Sequence, residues 1–143
     1  MNNKIIAVIP TYNARAGIVK PITRILEIQE DAKIIVVDDN SPDTTADLIR
    51  EKFAQDKRVV FIVRKGKGGQ GSAVITGFKE GLKDENVHLF FEMDADLVHD
   101  PNDISKMIEK SKECDIVVDS RYLLSSQITK WSFKREDIFS CKK

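Results

Sequence analysis

Short apolar runs that stop abruptly at polar turns recur along this chain, and they leave few folds open. Residues 4–9 (KIIAVI), 33–37 (KIIVV), 59–63 (VVFIV), 87–93 (VHLFFEM) and 116–118 (IVV) are rich in β-branched or aromatic side chains. Runs so short and so continuously apolar read as buried strands. Between them the spacing turns helical. Residues 16–29 place Ile18, Ile22, Ile25 and Leu26 on one face, with Pro21 in the first turn, and residues 44–55 do the same with Ala46, Leu48, Ile49 and Phe53. A third helix leads to about Leu82, and a fourth runs from Asp100-Pro101 to about Lys112. Asp43 or Thr44 can cap the second helix, and Asp-Pro is a good N-cap and first-position pair for the fourth. Strands alternating with helices, each strand apolar on both faces, predict an α/β protein with a mostly parallel sheet. Residues 123–143 offer no strand and one weak amphipathic helix, over 132–140.

The polar clusters follow the strands. PTYNA occupies 10–14, DDNSPD 38–43, RKGKGGQG 64–71, DAD 94–96 and DSRY 119–122. In parallel α/β sheets ligands bind beyond the carboxyl ends of the strands, so these clusters are expected to form one composite site.

Asp94 and Asp96 stand two apart after the fourth run, and in an extended strand they project together. Two such carboxylates suit a hard divalent cation that keeps positions open for substrate phosphates. The alternative is a solvated turn after a buried strand. The glycine-rich stretch Gly66-Lys67-Gly68-Gly69-Gln70-Gly71 satisfies a dinucleotide fingerprint literally, with Glu92 further on. It follows the third strand instead of the first, however, and would leave both aspartate pairs idle. The plainer readings are backbone N–H groups approaching an anion with Lys67 adding charge, or an eased strand-to-helix turn. A Walker A loop is excluded, because no Lys-Ser/Thr pair follows the last glycine. Asp38 and Asp39 fit either a ribose or base contact after the second strand, or a turn and helix cap. Arg121 and Arg135 suit bidentate phosphate binding or a solvated face.

Composition removes other classes. The 23 basic and 23 acidic residues cancel, which argues against nucleic acid as a partner. Cys114 and Cys141 lack CxxC spacing, so neither a disulfide framework nor a zinc site is expected, Cys114 reads as core, and a reducing cytosol fits. The N-terminal apolar run is too short for a signal peptide, and no stretch reaches the roughly 18 apolar residues of a membrane span.

Taken together, IPTYNA (9–14), IIVVDDNSPDTTAD (34–47), RKGKGGQGSAVITGF (64–78), MDADLVHDP (93–101) and VVDSRY (117–122) resemble family-2 glycosyltransferases of the GT-A fold. More narrowly they resemble dolichol- and polyprenol-phosphate mannosyltransferases, and Trp131 followed by Arg135 fits a later family pattern. The resemblance implies a Rossmann-like, three-layer fold. Residues 1–122 would form the nucleotide-sugar-binding core and 123–143 part of the acceptor side. Pro10, Thr11, Tyr12, Asp38 and Asp39 would hold the nucleotide of GDP-mannose, with Lys67 nearby. Asp94 and Asp96 would bind Mg²⁺ or Mn²⁺, and Arg121 and Arg135 would grip the phosphate of a polyprenyl phosphate. Work at the cytoplasmic membrane face, with a membrane-anchored partner protein, is implied as well. UDP-glucose as donor, or a donor-binding remnant without turnover, are the rival expectations. The chain departs from the family pattern at Ala14 (usually Glu), Val98 (commonly Ser or Gln), Asp119 (Gly) and Ser125-Ser126 (glycines). Family domains also continue beyond residue 143, so the expectation is a C-terminally truncated member.

Overall fold

The computed structural model describes residues 4–96 and 98–119. Strands β1 (Lys4–Thr11), β2 (Lys33–Asp38), β3 (Val59–Val63) and β4 (Val87–Glu92) form one sheet in the order β3-β2-β1-β4. Every neighbouring pair is parallel, with Ile6 opposite Lys33 and Phe90 and with Ile34 opposite Val59. Helices α1 (Val19–Ile28), α2 (Thr45–Phe53) and α3 (Gln70–Gly81) connect the strands, and a 3-10 turn (Pro101–Asp103) opens α4 (Ile104–Lys110). One compact unit ends at Ser105 and a second begins at Lys106. The sheet and the candidate site belong to the first. Among the described residues no helix is long and apolar enough to cross a membrane.

The two inner strands explain the stability of the sheet. From Ile6 to Ile9 and from Ile34 to Val37 every side chain is fully buried, as parallel strands covered on both faces require. On one face Ile6, Val8, Ile35 and Val37 pack with Ala73 of α3, backed by Val60, Ile62, Phe78 and Phe90. Two glycines let α3 lie this close. A Cβ at Gly77 would stand 2.3 Å from a Val8 methyl carbon, and one at Gly81 would stand 2.5 Å from the Phe90 ring. Ala7 and Ile9 alternate to the opposite face. There the right-handed crossover rule places α1 and α2, whose Ile22, Ile25 and Ile49 are buried.

The chain steps outward from β1 to β2 to β3, and α3 then carries it back to the far side of β1. Strand order therefore reverses between β1 and β4. Such a reversal opens a crevice at the carboxyl ends of the two strands, where open α/β sheets bind ligands.

Most expected elements form, and Pro21 lies in the first turn of α1 as anticipated. Asp100 accepts a hydrogen bond from the Asn102 N–H, and Pro101 takes the first helical position. The fifth strand does not form. Ile116 and Val118 are 79% and 77% exposed, and residues 116–118 pair with no strand among the described residues. A three-residue run gains nothing as a strand without a ladder partner, whatever its β propensity. Cys114, read as core, is exposed.

Candidate functional site

The cleft at the β1/β4 reversal has a volume of about 570 Å³. Its walls are the loop after β1 (Pro10 to Ala14, with Ala16 and Gly17), Gln70 at the start of α3, and the turn Asp94–Asp96. Gly17 permits this closeness, because a Cβ there would meet the Ala95 carbonyl oxygen at 3.3 Å. A second hollow of about 570 Å³ lies by Leu26 and Phe53, between α1 and α2. Its one arginine is already paired, Arg58 with Asp56. Glu27, Glu51 and Lys52 also line it, but none of the polar clusters that follow β1, β2 and β4 does.

Three anchors shape the cleft. In the first, the loop after β1 is sewn to the β2–α2 turn by three successive backbone donors. The N–H of Asn13 reaches Ser41 Oγ at 2.8 Å, that of Ala14 reaches Thr45 Oγ1 at 3.2 Å, and that of Arg15 reaches Asp43 Oδ2 at 3.0 Å. Asp38 supports this seam from below, accepting from the Ser41 N–H at 2.8 Å and its hydroxyl at 2.5 Å. Asp43 also accepts from the Thr45 N–H in an Asx turn ahead of α2, whose N-cap residue, Thr44, makes no capping hydrogen bond of its own. Burial pushes the Asp43 carboxyl up, but hydrogen bonds from Thr45 and Arg15 outweigh it and hold the group below its ordinary range. Thr44 has φ of 61°, a costly conformation for a β-branched residue. The Arg15 guanidinium donates to its carbonyl at 3.0 Å and its hydroxyl at 2.6 Å, which helps hold it there.

In the second anchor, Asp39 is 5% exposed and fully engaged. Arg64 Nε donates to Oδ1 at 2.5 Å, and the Gly68 and Gly69 N–H groups donate to Oδ2 at 2.9 and 3.0 Å. The glycine N–H groups expected to face an anion are thus turned onto an internal carboxylate. A Cβ at Gly68 would sit 2.9 Å from the Arg64 guanidinium, so a side chain there would have to displace the arginine from its place against the loop. Arg64 also donates to Ser72 Oγ and to the Gly69 carbonyl.

The third anchor presents the DxD pair. β4 ends at Glu92, and Asp94–Asp96 form a turn instead of continuing the strand. Both carboxylates reach one cleft through this turn, not through the strand alternation that the spacing suggested. Gln70 Nε2 donates to Asp94 Oδ1 at 2.9 Å and to Glu92 Oε1 at 3.3 Å. The Asp94 N–H donates to His99 Nδ1 at 3.2 Å, which leaves Nε2 as the protonated nitrogen, 3.9 Å from Asp94 Oδ2. Asp96 is exposed and accepts from the Val98 N–H at 3.0 Å.

Among the residues expected at the site, Pro10, Thr11, Tyr12, Asp94 and Asp96 line the cleft together. Lys67 reaches it through Tyr12, its ammonium 4.3 Å from the ring centroid. Asp38 and Asp39 lie behind the wall and brace it. Arg121 and Arg135 fall outside the described residues. Thr11 lines the cleft, and its Oγ1 is buried with no hydrogen-bond partner. Arg64, Gln70 and His99 were not foreseen as site residues. Among the described residues no three His, Cys, Asp or Glu side chains form a ready metal cage. Two carboxylates at an open cleft still fit Mg²⁺ or Mn²⁺, hard cations whose remaining oxygen ligands can come from a bound diphosphate and water.

The model of glycosyl transferase family 2 matches residues 6–141. The undecaprenyl-phosphate mannosyltransferase of Micrococcus luteus is 32% identical over 135 residues, which are 94% of this chain and 55% of that protein. The dolichol-phosphate mannosyltransferase of Pyrococcus furiosus is 39% identical over 137 residues, covering 93% of this chain and 37% of that protein. The chain thus spans about half or less of these relatives' lengths. Among solved structures, S. aureus TarS in complex with UDP superposes with a TM-score of 0.57 at 19% identity, over 76% of this chain and 33% of that one. That likeness is one of fold, and it agrees with the parallel three-layer GT-A architecture. The chain belongs to glycosyl transferase family 2.

Proposed function

We propose that this domain binds a nucleotide sugar and a divalent cation, and that it transfers mannose from GDP-mannose to a polyprenyl phosphate at the cytoplasmic membrane face. The observation that carries the reading is the convergence of Thr11 and Tyr12 with Asp94 and Asp96 on one cleft at the strand reversal. The names of the related mannosyltransferases supply the sugar and the acceptor class.

In this reading Tyr12 offers a ring face to the base, Pro10 and Thr11 shape the wall beside it, and Lys67 brings charge toward the diphosphate. Asp38 and Asp39 serve the nucleotide by fixing the walls it rests on. Asp94 and Asp96 hold Mg²⁺ or Mn²⁺, which when bound neutralises charge on the leaving diphosphate. A lipid phosphate is already anionic near neutral pH, so its oxygen attacks the anomeric carbon without a strong base as the bond to GDP breaks. One displacement of this kind inverts the anomeric centre. Catalysis then rests on positioning and electrostatics. Residues 1–122 form the donor core, and 123–143 belong to the acceptor side with Arg121 and Arg135 on the lipid phosphate. A membrane-anchored partner protein would hold the domain near its lipid.

The test is release of the nucleoside diphosphate by the 143-residue chain given Mn²⁺, a short polyprenyl phosphate and either GDP-mannose (GDP released) or UDP-glucose (UDP released), with Asp96→Ala in parallel. Release that needs both acceptor and GDP-mannose, and that Asp96→Ala abolishes, supports the proposal. Release from UDP-glucose alone replaces the donor. Metal-dependent GDP binding without release assigns donor binding alone.

A further inference from the structure

We infer that Gln70 is a positioning residue for Asp94, and that through it the glycine-rich loop sets the affinity of the DxD turn for its cation. This rests on the reading of Asp94 as a metal ligand. The side chain of a first helical residue commonly points into solvent with no fixed partner. That of Gln70 instead reaches across the cleft, its amide nitrogen shared between Asp94 Oδ1 at 2.9 Å and Glu92 Oε1 at 3.3 Å.

Its backbone is equally constrained. Gln70 follows Gly68 and Gly69, whose N–H groups are tied to Asp39 Oδ2, and Gly69 takes φ of 87° to start α3. Arg64 closes the other end of that anchor, on Asp39 and on the Gly69 carbonyl. A continuous path therefore runs from the ends of β2 and β3, through the glycine loop, to one oxygen of Asp94.

The chemistry of a carboxamide suits this place. Two carboxylates, Glu92 and Asp94, meet at one donor, and each would otherwise repel the other. A neutral donor relieves that repulsion and fixes the Asp94 rotamer without adding a positive charge that would compete with a cation. A lysine would pair with Asp94 and displace the cation, whereas an alanine would leave the carboxylate free to turn. Partners that orient a metal-binding side chain in this way typically contribute a factor of roughly 10 to 100 in metal affinity. A ligand that moves the glycine loop would shift Gln70 as well, so metal and nucleotide affinities are coupled, and reciprocally.

The experiment titrates Mn²⁺ into the 143-residue chain with GDP present, reading bound Mn²⁺ by electron paramagnetic resonance. GDP binding is measured calorimetrically with and without Mn²⁺. Gln70→Ala is expected to weaken Mn²⁺ binding by roughly 10- to 100-fold, a loss well beyond any change in GDP affinity measured without metal. Gln70→Lys should lose more than Gln70→Ala. Wild-type Mn²⁺ affinity in Gln70→Ala, with loss in Asp94→Ala, would overturn the positioning role and leave the metal site standing. Wild-type affinity in Asp94→Ala and Asp96→Ala would remove the metal site, and the role of Gln70 with it.

Discussion

Asp39 and Arg64 form a nearly buried ion pair that closes the glycine-rich loop from behind. The two side chains are 6% and 15% exposed, and the second carboxylate oxygen carries the loop's two N–H donors. Removing one partner strands the other charge together with its hydrogen bonds. Asp39→Ala and Arg64→Ala should each cost about 3–5 kcal/mol, the range for breaking a buried pair. The double variant should cost less than their sum, because the stranded charge disappears. Urea unfolding of the four proteins checks this. Strict additivity would mean that the two side chains act independently.

The seating of α3 on the sheet gives a second expectation. Alanine is the better helix former by about 1 kcal/mol, so at an open helix position Gly77→Ala would stabilise. Here the new methyl would stand 2.3 Å from a Val8 methyl carbon in a fully buried strand. Overpacking of this kind costs about 1–3 kcal/mol, and net destabilisation is expected. Gly71 offers the control, since nothing lies within 4 Å of a Cβ there. A higher midpoint for Gly77→Ala than for wild type in thermal unfolding would contradict the tight helix–sheet contact.

The sheet was readable because its inner strands are short, continuous, β-branched runs buried on both faces. The polar turns were readable for the same reason, since each marks where a buried strand stops. What escaped were pairings across long sequence separations. Arg64 and Gln70 carry no local signal, and their carboxylates lie 25 and 24 residues away. At Asp94–Asp96 a turn after the strand was one of the two readings, and what spacing could not tell is that this turn, not strand alternation, brings both carboxylates to the cleft. Ile116–Val118 misled in the other direction: propensity was visible, and the lack of a ladder partner was not. The glycines at 77 and 81 did leave a signal, one helical turn apart, of the kind that lets a helix approach a sheet closely.

Acid should loosen the fold through three carboxylates. Asp43 is held below its ordinary range despite burial, by Thr45 and Arg15. Asp56 is lowered chiefly by the Arg58 hydrogen bond, and Asp84 chiefly by Lys4. A carboxyl with a depressed folded pKa stabilises fully above its unfolded value, near 3.9, and that contribution fades as pH falls through the folded value. The thermal midpoint should therefore be flat from about pH 6 to 5 and fall below about pH 4. Asp43→Asn should make the fall shallower. An unchanged slope in that variant would show that its hydrogen bonds do not distinguish the folded carboxylate.

If the cleft takes a nucleotide as proposed, Lys67 and Tyr12 are the pair whose removal separates the base from the diphosphate. The ammonium lies 4.3 Å from the ring centroid, over the face that a base would use. Such a contact at an exposed ring stabilises by about 0.5–1 kcal/mol, little enough for a base to displace. If Lys67 covers the ring in the free protein and turns to the diphosphate in the complex, its removal has opposite effects on two ligands. Lys67→Ala should bind guanosine as well as wild type or up to about threefold better, while GDP binding falls by roughly tenfold, or about 1.4 kcal/mol. Tyr12→Ala should weaken both ligands, because the ring serves the base that they share. Calorimetric titration of guanosine and GDP into the three proteins separates the cases. Equal losses of both ligands in Lys67→Ala would place Lys67 on the base instead of the diphosphate, and unchanged binding of both would remove it from the site.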